Sequence, residues 1–512
     1  MFSLTYLGHA GWLCESEEFK CVFDPWSCSE GAFFDSWYPF PSNSHLDFKK
    51  ILSNLDFVYI SHAHEDHLVP DTLKLVDKQT TILIPKFKDR TTFLKLKKIG
   101  FKNIQEVDEK QETKIKSVSI KISSTEGNIE NDSCILLERE GVKLLNLNDC
   151  HIDFRLLKEF CSNQVDVLLL QSSNAIWWPC NYEYEQEQKD FYGKVKRDNL
   201  LNRALKYCES VSPRFVVPNA GPPIFANENM KKWNFNRKEE WNPFCMPTEA
   251  SEFFSKNKIN SDYMVPGEVM FIDKHNIDIN KNTSFRDAAY NGYDKYLNEY
   301  LREIKTKKKK QNKQDDIPTL FEKFKKQIKI ISRISNIYVE KIDFNLLLEF
   351  SRQEKWIIDF RNKSNPIQEY KNQNFRYHFK MKKEYVAKIM KEDNWDFERL
   401  FLSGNFSCSR DPDIFNENVF IVLKYFDTKR FLSAEQIYAE NHKMKDELFV
   451  LNHNGCKYEV QKYCPHMYAD LEEIGYIDDE ENFVCPLHGW KFDVNSGECP
   501  GKKEKLKIKR LN

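Results

Sequence analysis

The sequence lacks a long apolar run, an excess of charge of either sign, and a large number of histidines. No stretch reaches the roughly 18 uninterrupted apolar residues of a membrane-spanning helix, and the N-terminus has no charged region followed by an apolar one. Lys and Arg (77) nearly balance Asp and Glu (78), so nothing points to nucleic acid or a membrane surface as a partner. We therefore expect a globular, cytoplasmic protein that binds neither.

Cysteine is not scarce, with 14 residues in the chain of 512. Without a secretory signal, cysteines in so long a chain are expected to be thiols and metal ligands rather than disulfides. A hydrophobic content of 41% is ample for real cores, and the length allows about three domains.

The 12 histidines are unevenly placed, because three of them lie within six positions. His62, His64 and His67, together with Asp66, follow the apolar run 57–60, which predicts a strand. Imidazoles and carboxylates at a strand end are typical ligands of Zn, Fe or Mn. The alternative is a solvated turn that happens to hold several histidines, and the rarity of histidine argues against it. The pattern predicts a metal centre.

Residues 1 to about 225 alternate short strands with helix-like spacing, which predicts a layered α/β domain with polar groups at the strand ends. Asp24 and Asp149 each follow a predicted strand, and His9 stands in a glycine-containing turn at another strand end. Alone, either aspartate would be a turn-capping residue. Beside the histidines, Asp149 is predicted as a ligand, and Asp24 is predicted to orient the histidines from behind.

A second metal motif lies near the C-terminus, where Cys464 and His466 form a C-x-H loop and Cys485 and His488 form a C-x-x-H loop. Two thiolates on one iron and two imidazoles on the other are the ligand set of a Rieske [2Fe-2S] cluster. The alternative, a Cys2His2 zinc site, rarely combines such loops with a following Gly-Trp-Lys-Phe-Asp. The later Cys499 is expected to pack rather than to ligate.

The first domain resembles the metallo-β-lactamase family in four motifs, which are Gly8-His9-Ala10, Asp24-Pro25-Trp26, H-x-H-x-D-H at 62–67, and Asn148-Asp149. The runs 34–41 and 171–179 are similar to the branch that contains the sugar-nucleotide N-acetyl hydroxylases. Hydrolytic members of the family resemble one another in having two later histidines. The corresponding stretches here, 124–127 and 217–223, contain none.

The resemblance implies an α/β fold with three parts. These are a metallo-β-lactamase-like αββα sandwich over 1–300, a mixed α+β connecting region over 301–440, and a small all-β Rieske domain over 441–512. A lysine-rich run at 305–313 is interpreted as a linker. Within the connecting region, the apolar runs 337–339 and 419–424 read as strands.

The two metal motifs together favour redox chemistry. A Rieske cluster transfers single electrons, whereas zinc does not change oxidation state. We therefore expect non-haem iron at the first site, with zinc or manganese as alternatives. The predicted catalytic metal ligands are His62, His64, Asp66, His67 and Asp149, and the predicted cluster ligands are Cys464, His466, Cys485 and His488.

The resemblance further implies an O2-dependent monooxygenase that converts the N-acetyl group of a nucleotide sugar to N-glycolyl, with UDP-N-acetylmuramate as the first guess. Its electrons would come from a ferredoxin or an NAD(P)H-dependent reductase. The alternative is a metal-dependent hydrolase whose Rieske domain senses redox state or carries electrons. Basic residues at 194–203 could hold a diphosphate or simply cover a helix face, and the two sites could meet within one chain or across a homodimer.

Overall fold

The computed structural model describes residues 2–511 except 110, 127–130, 163, 309–317, 335–336, 392–394, 427, 443–446 and 467. The chain divides into two compact units. Most described residues up to 308 form the first unit, and the segment 176–189 belongs with the described residues from 318 onward to the second. Among the described residues, no helix is both long and apolar enough to cross a membrane.

The first unit is built on two large sheets. Its strands are β1 Phe2–Gly8, β2 Gly11–Glu15, β3 Lys20–Phe23, β4 Trp37–Tyr38, β5 Phe57–Tyr59, β6 Thr81–Pro85, β7 Ile104–Val107, β8 Thr113–Ile115, β9 Val118–Glu126, β10 Asn131–Arg139, β11 Val142–Asn148, β12 Val167–Gln171, β13 Phe215–Asn219, β14 Ile224–Phe225, β15 Val269–Ile272 and β16 Ile277–Asn280. One sheet has the order β16-β15-β1-β2-β3-β5-β6-β7 and the other β13-β12-β11-β10-β9-β8, while β4 and β14 form a separate pair.

Side chains from both large sheets share one core. Tyr6 and Tyr59 from the first sheet meet Ile120, Leu137 and Leu169 from the second, and all five are buried. Burying each such side chain contributes roughly 1.5–3 kcal/mol. The predicted metallo-β-lactamase-like sandwich is confirmed.

Helices accompany both sheets. They are α1 Phe48–Ile51, α2 Pro70–Leu73, α3 Thr91–Ile99, α4 Phe154–Cys161, α5 Gln186–Val211, α6 Pro247–Lys256, α7 Thr283–Arg286 and α8 Tyr293–Lys308. Phe48, Leu73 and Leu96 from α1, α2 and α3 pack with Val22 and Val58 on the face of the eight-stranded sheet that points away from the shared core. Apolar residues at helical spacing in these segments therefore form a helical layer over that sheet.

The second unit contains a mixed domain followed by the Rieske domain. The mixed domain consists of β17 Leu346–Glu349, β18 Lys355–Ile358, β19 Ile367–Glu369, β20 Tyr377–Met381 and β21 Phe406–Arg410 with α9 Pro318–Ile334, α10 Lys383–Met390, α11 Glu398–Ser403, α12 Glu417–Lys424 and α13 Thr428–His442. The Rieske domain consists of β22 Leu448–His453, β23 Cys456–Gln461, α14 Leu471–Ile474, β24 Tyr476–Ile477, β25 Asn482–Cys485, β26 Trp490–Asp493 and β27 Ile508–Arg510. Its strands form two three-stranded sheets.

Two predicted strands of the mixed domain are wrong. The run 419–424 lies in helix α12, where Asn416 caps the N-terminus by accepting a hydrogen bond from the Asn418 backbone N–H. All eight residues of that helix are buried, and the run 419–423 is apolar at every position, so no alternation of polar and apolar residues reveals a helical period there. The run 337–339 forms a bend that leads into the 3-10 turn Val339–Lys341. The predicted linker 305–313 lies partly outside the described residues.

Candidate metal centres

Loops at neighbouring strand ends carry the first group of candidate ligands. Strands β1, β3 and β5 run in the same direction, so the residues after them, His9, Asp24 and 61–67, lie at one edge of the sheet. Asp149 follows β11 in the facing sheet. Three residues of these loops have left-handed backbones, with φ of 54° at His9, 36° at Asp24 and 48° at Asn148. Such conformations cost non-glycine residues roughly 1 kcal/mol or more and cluster at functional sites.

Four of the five sequence-predicted ligands lie in two overlapping groups whose ligand atoms are within 4.8 Å of one another, one of His62, His67 and Asp149 and the other of Asp66 and His67 with His9. We call these residues, together with His64 and Asp132, the edge cluster. His62 Nε2 lies 2.8 Å from His64 Nδ1. His67 Nε2 lies 3.5 Å from Asp149 Oδ2 and 3.8 Å from Asp66 Oδ2. Ligand atoms that each lie about 2.1 Å from one metal ion are roughly 3–4 Å from each other. These separations are therefore those of atoms that can share an ion.

Asp24 lies behind the imidazoles rather than among the converging atoms. It is fully buried, and it accepts hydrogen bonds from the Ser61 backbone N–H (2.9 Å), from Ser61 Oγ (2.6 Å) and from His67 Nδ1 (2.8 Å). Ser61 Oγ is also 2.9 Å from His62 Nδ1. Because the Nδ1 side of both rings is held in this way, their Nε2 atoms face the cluster.

Two residues of the cluster had no role assigned from the sequence. His9 Nε2 lies 2.9 Å from Asp66 Oδ2, and Asp132 Oδ1 lies 3.2 Å from His62 Nδ1. Because β10 runs antiparallel to β11, the start of β10 lies beside the end of β11, which brings Asp132 to the edge that holds Asp149. The available signal in the sequence was the position of Asp132 directly before the run 133–138, whose apolar pattern predicts a strand.

The electrostatics of the cluster follow from its burial and its dense charge. Burial, reinforced by the positive charge of His67, lowers the pKa of His62 well below its usual value. Burial alone would lower the pKa of His67, but the carboxylates of Asp66 and Asp149 outweigh it and raise that pKa. Burial and the charge of Asp149 raise the pKa of Asp132 well above its usual value. Without a cation, the group therefore holds protons that a bound metal ion would displace.

The donor atoms fit a metal ion. Within the part of the chain that the structure describes, Asp66 Oδ1, His67 Nε2 and Asp149 Oδ1 are buried and form no hydrogen bond. A buried polar atom without a partner costs about 1–3 kcal/mol, so such atoms are uncommon. A divalent cation would satisfy all three residues. Imidazoles with carboxylates suit Fe, Mn and Zn.

Helix α5 places its basic residues in different environments. Arg197 donates to the backbone carbonyls of Arg237 and Asn242 and forms an ion pair with Glu249 at 3.1 Å, so its role is structural. Arg203, in contrast, lines a small cavity that Asp149 also lines. Arg203 therefore lies near one of the candidate metal ligands.

The predicted Rieske ligands lie on two loops of the C-terminal domain. Cys464 follows β23, Cys485 ends β25, and His488 lies in the turn before β26. Both cysteines are buried, and the rings of His466 and His488 meet edge to face with centroids 4.7 Å apart. The Gly489 backbone has φ of 68°, a conformation that glycine adopts without strain. Two thiols and two imidazoles on adjacent loops fit a [2Fe-2S] cluster.

Comparison with known proteins identifies three regions of the chain. Residues 3–220 match the beta-lactamase superfamily domain, 320–440 match the Rv3818-like, SCP2-like domain, and 427–511 match the Rieske [2Fe-2S] domain. The chain is 27% identical to a protein of Mycolicibacterium smegmatis named as a Rieske 2Fe-2S iron-sulfur protein, over 97% of both chains.

A second kind of relative matches a smaller part. The cytidine monophosphate-N-acetylneuraminic acid hydroxylase of Xenopus laevis is 31% identical over 236 residues, which are 43% of this chain and 38% of that protein. Among solved structures, the chain is similar to CmlA, a diiron beta-hydroxylase from Streptomyces venezuelae, with 15% identity and a TM-score of 0.37 over 52% of this chain and 53% of that one.

These findings confirm the predicted Rieske domain and its [2Fe-2S] cluster. The similarity to cytidine monophosphate-N-acetylneuraminic acid hydroxylases supports the predicted class of oxidoreductase. The chain is a metallo-β-lactamase-fold protein with a C-terminal Rieske domain, and its homologues include Rieske iron-sulfur proteins and CMP-N-acetylneuraminic acid hydroxylases.

Proposed function

We propose that this protein is an O2-dependent hydroxylase in which the Rieske cluster supplies electrons to a non-haem iron centre at the edge cluster. His62, His64, Asp66, His67 and Asp149 would hold that centre, and Cys464, His466, Cys485 and His488 would hold the cluster. The proposed division of labour is a metal-binding part at 1–300, a connecting part at 301–440 and the Rieske part at 441–512.

The observation that carries the proposal is the presence of both centres in one chain. A Rieske cluster accepts and donates one electron at a time and carries out no group chemistry. Those electrons need a redox-active acceptor, and a site rich in carboxylates and imidazoles suits iron. Iron supplied with electrons activates O2 for insertion of one oxygen atom into a C–H bond.

The residues around the iron site have separable tasks. Asp24 accepts a hydrogen bond from Nδ1–H of His67. This hydrogen bond fixes the tautomer of the imidazole and leaves its Nε2 atom available as a metal ligand. Asp132 lies beside His62 Nδ1 and can hold that ring in the same way. His62, Asp66 and His67 are buried, which limits the access of bulk water to this side of the site.

The substrate we propose is the N-acetyl group of a nucleotide sugar. One molecule of O2, two electrons and two protons would convert the acetyl CH3 to CH2OH and release one molecule of water. The CMP-N-acetylneuraminic acid hydroxylases among the relatives support an anionic sugar substrate. UDP-N-acetylmuramate is the first candidate to test.

The test is incubation of anaerobically purified protein with NADPH, a reductase, a ferredoxin and a panel of N-acetylated nucleotide sugars, begun by adding ¹⁸O2. Mass spectrometry should show a product that has gained one ¹⁸O atom. A His64→Ala variant provides the control, because it should keep the Rieske spectrum and form no product.

Two results would contradict the proposal in different ways. Absence of an oxygenated product across the panel, with a reducible cluster present, would refute the substrate class. Turnover of a lactone or phosphodiester without reductant, by protein that contains zinc or manganese at the edge cluster, would favour a hydrolase.

A further inference from the structure

A lysine in the C-terminal domain holds its charge among aromatic rings close to a cluster ligand. The Nζ atom of Lys502 lies 4.9 Å from the ring centroid of Phe415, 5.1 Å from that of Trp490 and 5.8 Å from that of Trp178. Aromatic faces attract cations by about 0.5–2 kcal/mol each. The three rings therefore hold the ammonium group where water screens it poorly.

One of these rings connects the lysine to the cluster. Trp490 stacks on the imidazole of His466, with ring centroids 4.2 Å apart and planes inclined by 9°. The Lys502 backbone N–H donates a hydrogen bond to the Cys499 carbonyl at 3.0 Å. This hydrogen bond fixes the backbone of Lys502 within the Rieske domain. The charge thus lies one aromatic ring away from a ligand of the redox centre.

The carboxylate of Asp413, which is near this group, already has other partners. It accepts hydrogen bonds from Arg410 Nε and from Tyr184 Oη, both at 2.6 Å. Tyr184 Oη in turn accepts from Trp178 Nε1 at 3.1 Å, so the same network fixes the Trp178 ring. Burial lowers the pKa of Lys502 to about 8, which leaves the side chain protonated at neutral pH.

We propose that the positive charge of Lys502 raises the reduction potential of the Rieske cluster, acting through the Trp490 ring that stacks on His466. Reduction adds one electron to the cluster and makes it more negative by one unit. A fixed positive charge in a medium of low dielectric constant stabilises that reduced state over the oxidised one. Lys502 is thus a tuning residue that touches neither iron nor substrate. The proposal rests on the Rieske domain and not on the hydroxylase function.

The experiment is an EPR-monitored redox titration of the full-length protein carrying its cluster. Lys502→Met and Lys502→Gln remove the charge and should both lower the midpoint potential. Lys502→Arg keeps the charge and should retain the wild-type potential. Lys503→Met is the matched control, because this neighbouring lysine is exposed and its charge is screened by solvent; its potential should equal that of the wild type.

Four outcomes decide the question. Lower potentials in both neutral variants, with unchanged values in the arginine variant and the Lys503 control, would support the proposal. A wild-type potential in a neutral variant that contains the cluster would overturn it. If both neutral variants fail to assemble the cluster while the arginine variant succeeds, the charge serves assembly and the proposal also fails. The absence of any Rieske signal in the wild-type protein would instead refute the cluster itself.

Discussion

Replacing Asp24 by Asn should weaken metal binding at the edge cluster without unfolding the protein. The carboxylate is fully buried and accepts three hydrogen bonds, one of them from His67 Nδ1 at 2.8 Å. Asparagine has a similar shape, but it carries no charge, and its NH2 group cannot accept from Ser61 Oγ. Loss of a carboxylate that orients a ligand imidazole typically costs about 10- to 100-fold in metal affinity, or roughly 1.4–2.7 kcal/mol.

The assay is an anaerobic Fe(II) titration in competition with a chromophoric chelator, accompanied by thermal unfolding of the metal-free protein. Asp47→Asn is the control, because Asp47 is an exposed N-cap of helix α1 and asparagine caps a helix equally well. Its affinity should equal that of the wild type. If Asp24→Asn binds Fe(II) as tightly as the wild type and remains folded, the orienting role assigned to Asp24 is refuted.

Three further predictions concern protons, the cluster and the core. Neighbouring carboxylates raise the pKa of His67, so a metal ion must displace the proton of this imidazole. Fe(II) affinity should therefore rise about tenfold per pH unit below that pKa. An Fe(II) affinity that does not change between pH 6 and 8 would contradict this prediction. Cys464→Ser should lose the Rieske EPR signal and about two irons per chain, whereas Cys456→Ser should keep both. Arg286→Ala leaves the buried carboxylate of Glu268 without its two hydrogen bonds from the guanidinium group and should lower the free energy of unfolding by about 3–5 kcal/mol. A loss below about 1 kcal/mol in urea denaturation would show that this pair contributes little.

The metal motifs could be predicted from the sequence because their ligands are close together in the chain. His62, His64 and His67 share one loop after β5, and each Rieske loop contributes a cysteine and a histidine within four positions. When metal ligands are this close in sequence, their spacing alone largely determines that they lie close together in space. The resemblance supplied the αββα arrangement and the order of the domains.

The rest depends on contacts between distant parts of the chain. Asp132 reaches His62 only because β10 and β11 pair in a particular register, and no local pattern encodes that register. The segment 176–189 follows a strand of the first unit, yet it belongs to the second. There Asn181 Nδ2 donates to the backbone carbonyls of Gly404 and Phe406. The ring of Trp177 likewise packs on the ring of Phe401, so Trp177 is part of the packing of the second unit.

The central claim is that the edge cluster holds iron that the Rieske domain can supply with electrons. Metal analysis of anaerobically purified Cys464→Ser/Cys485→Ser protein tests it most directly, because this variant has no cluster to contribute iron. Iron should remain in this variant, and His62→Ala introduced into the same variant should remove it. Zinc or manganese in place of iron, or iron that survives the His62 substitution, would contradict the account.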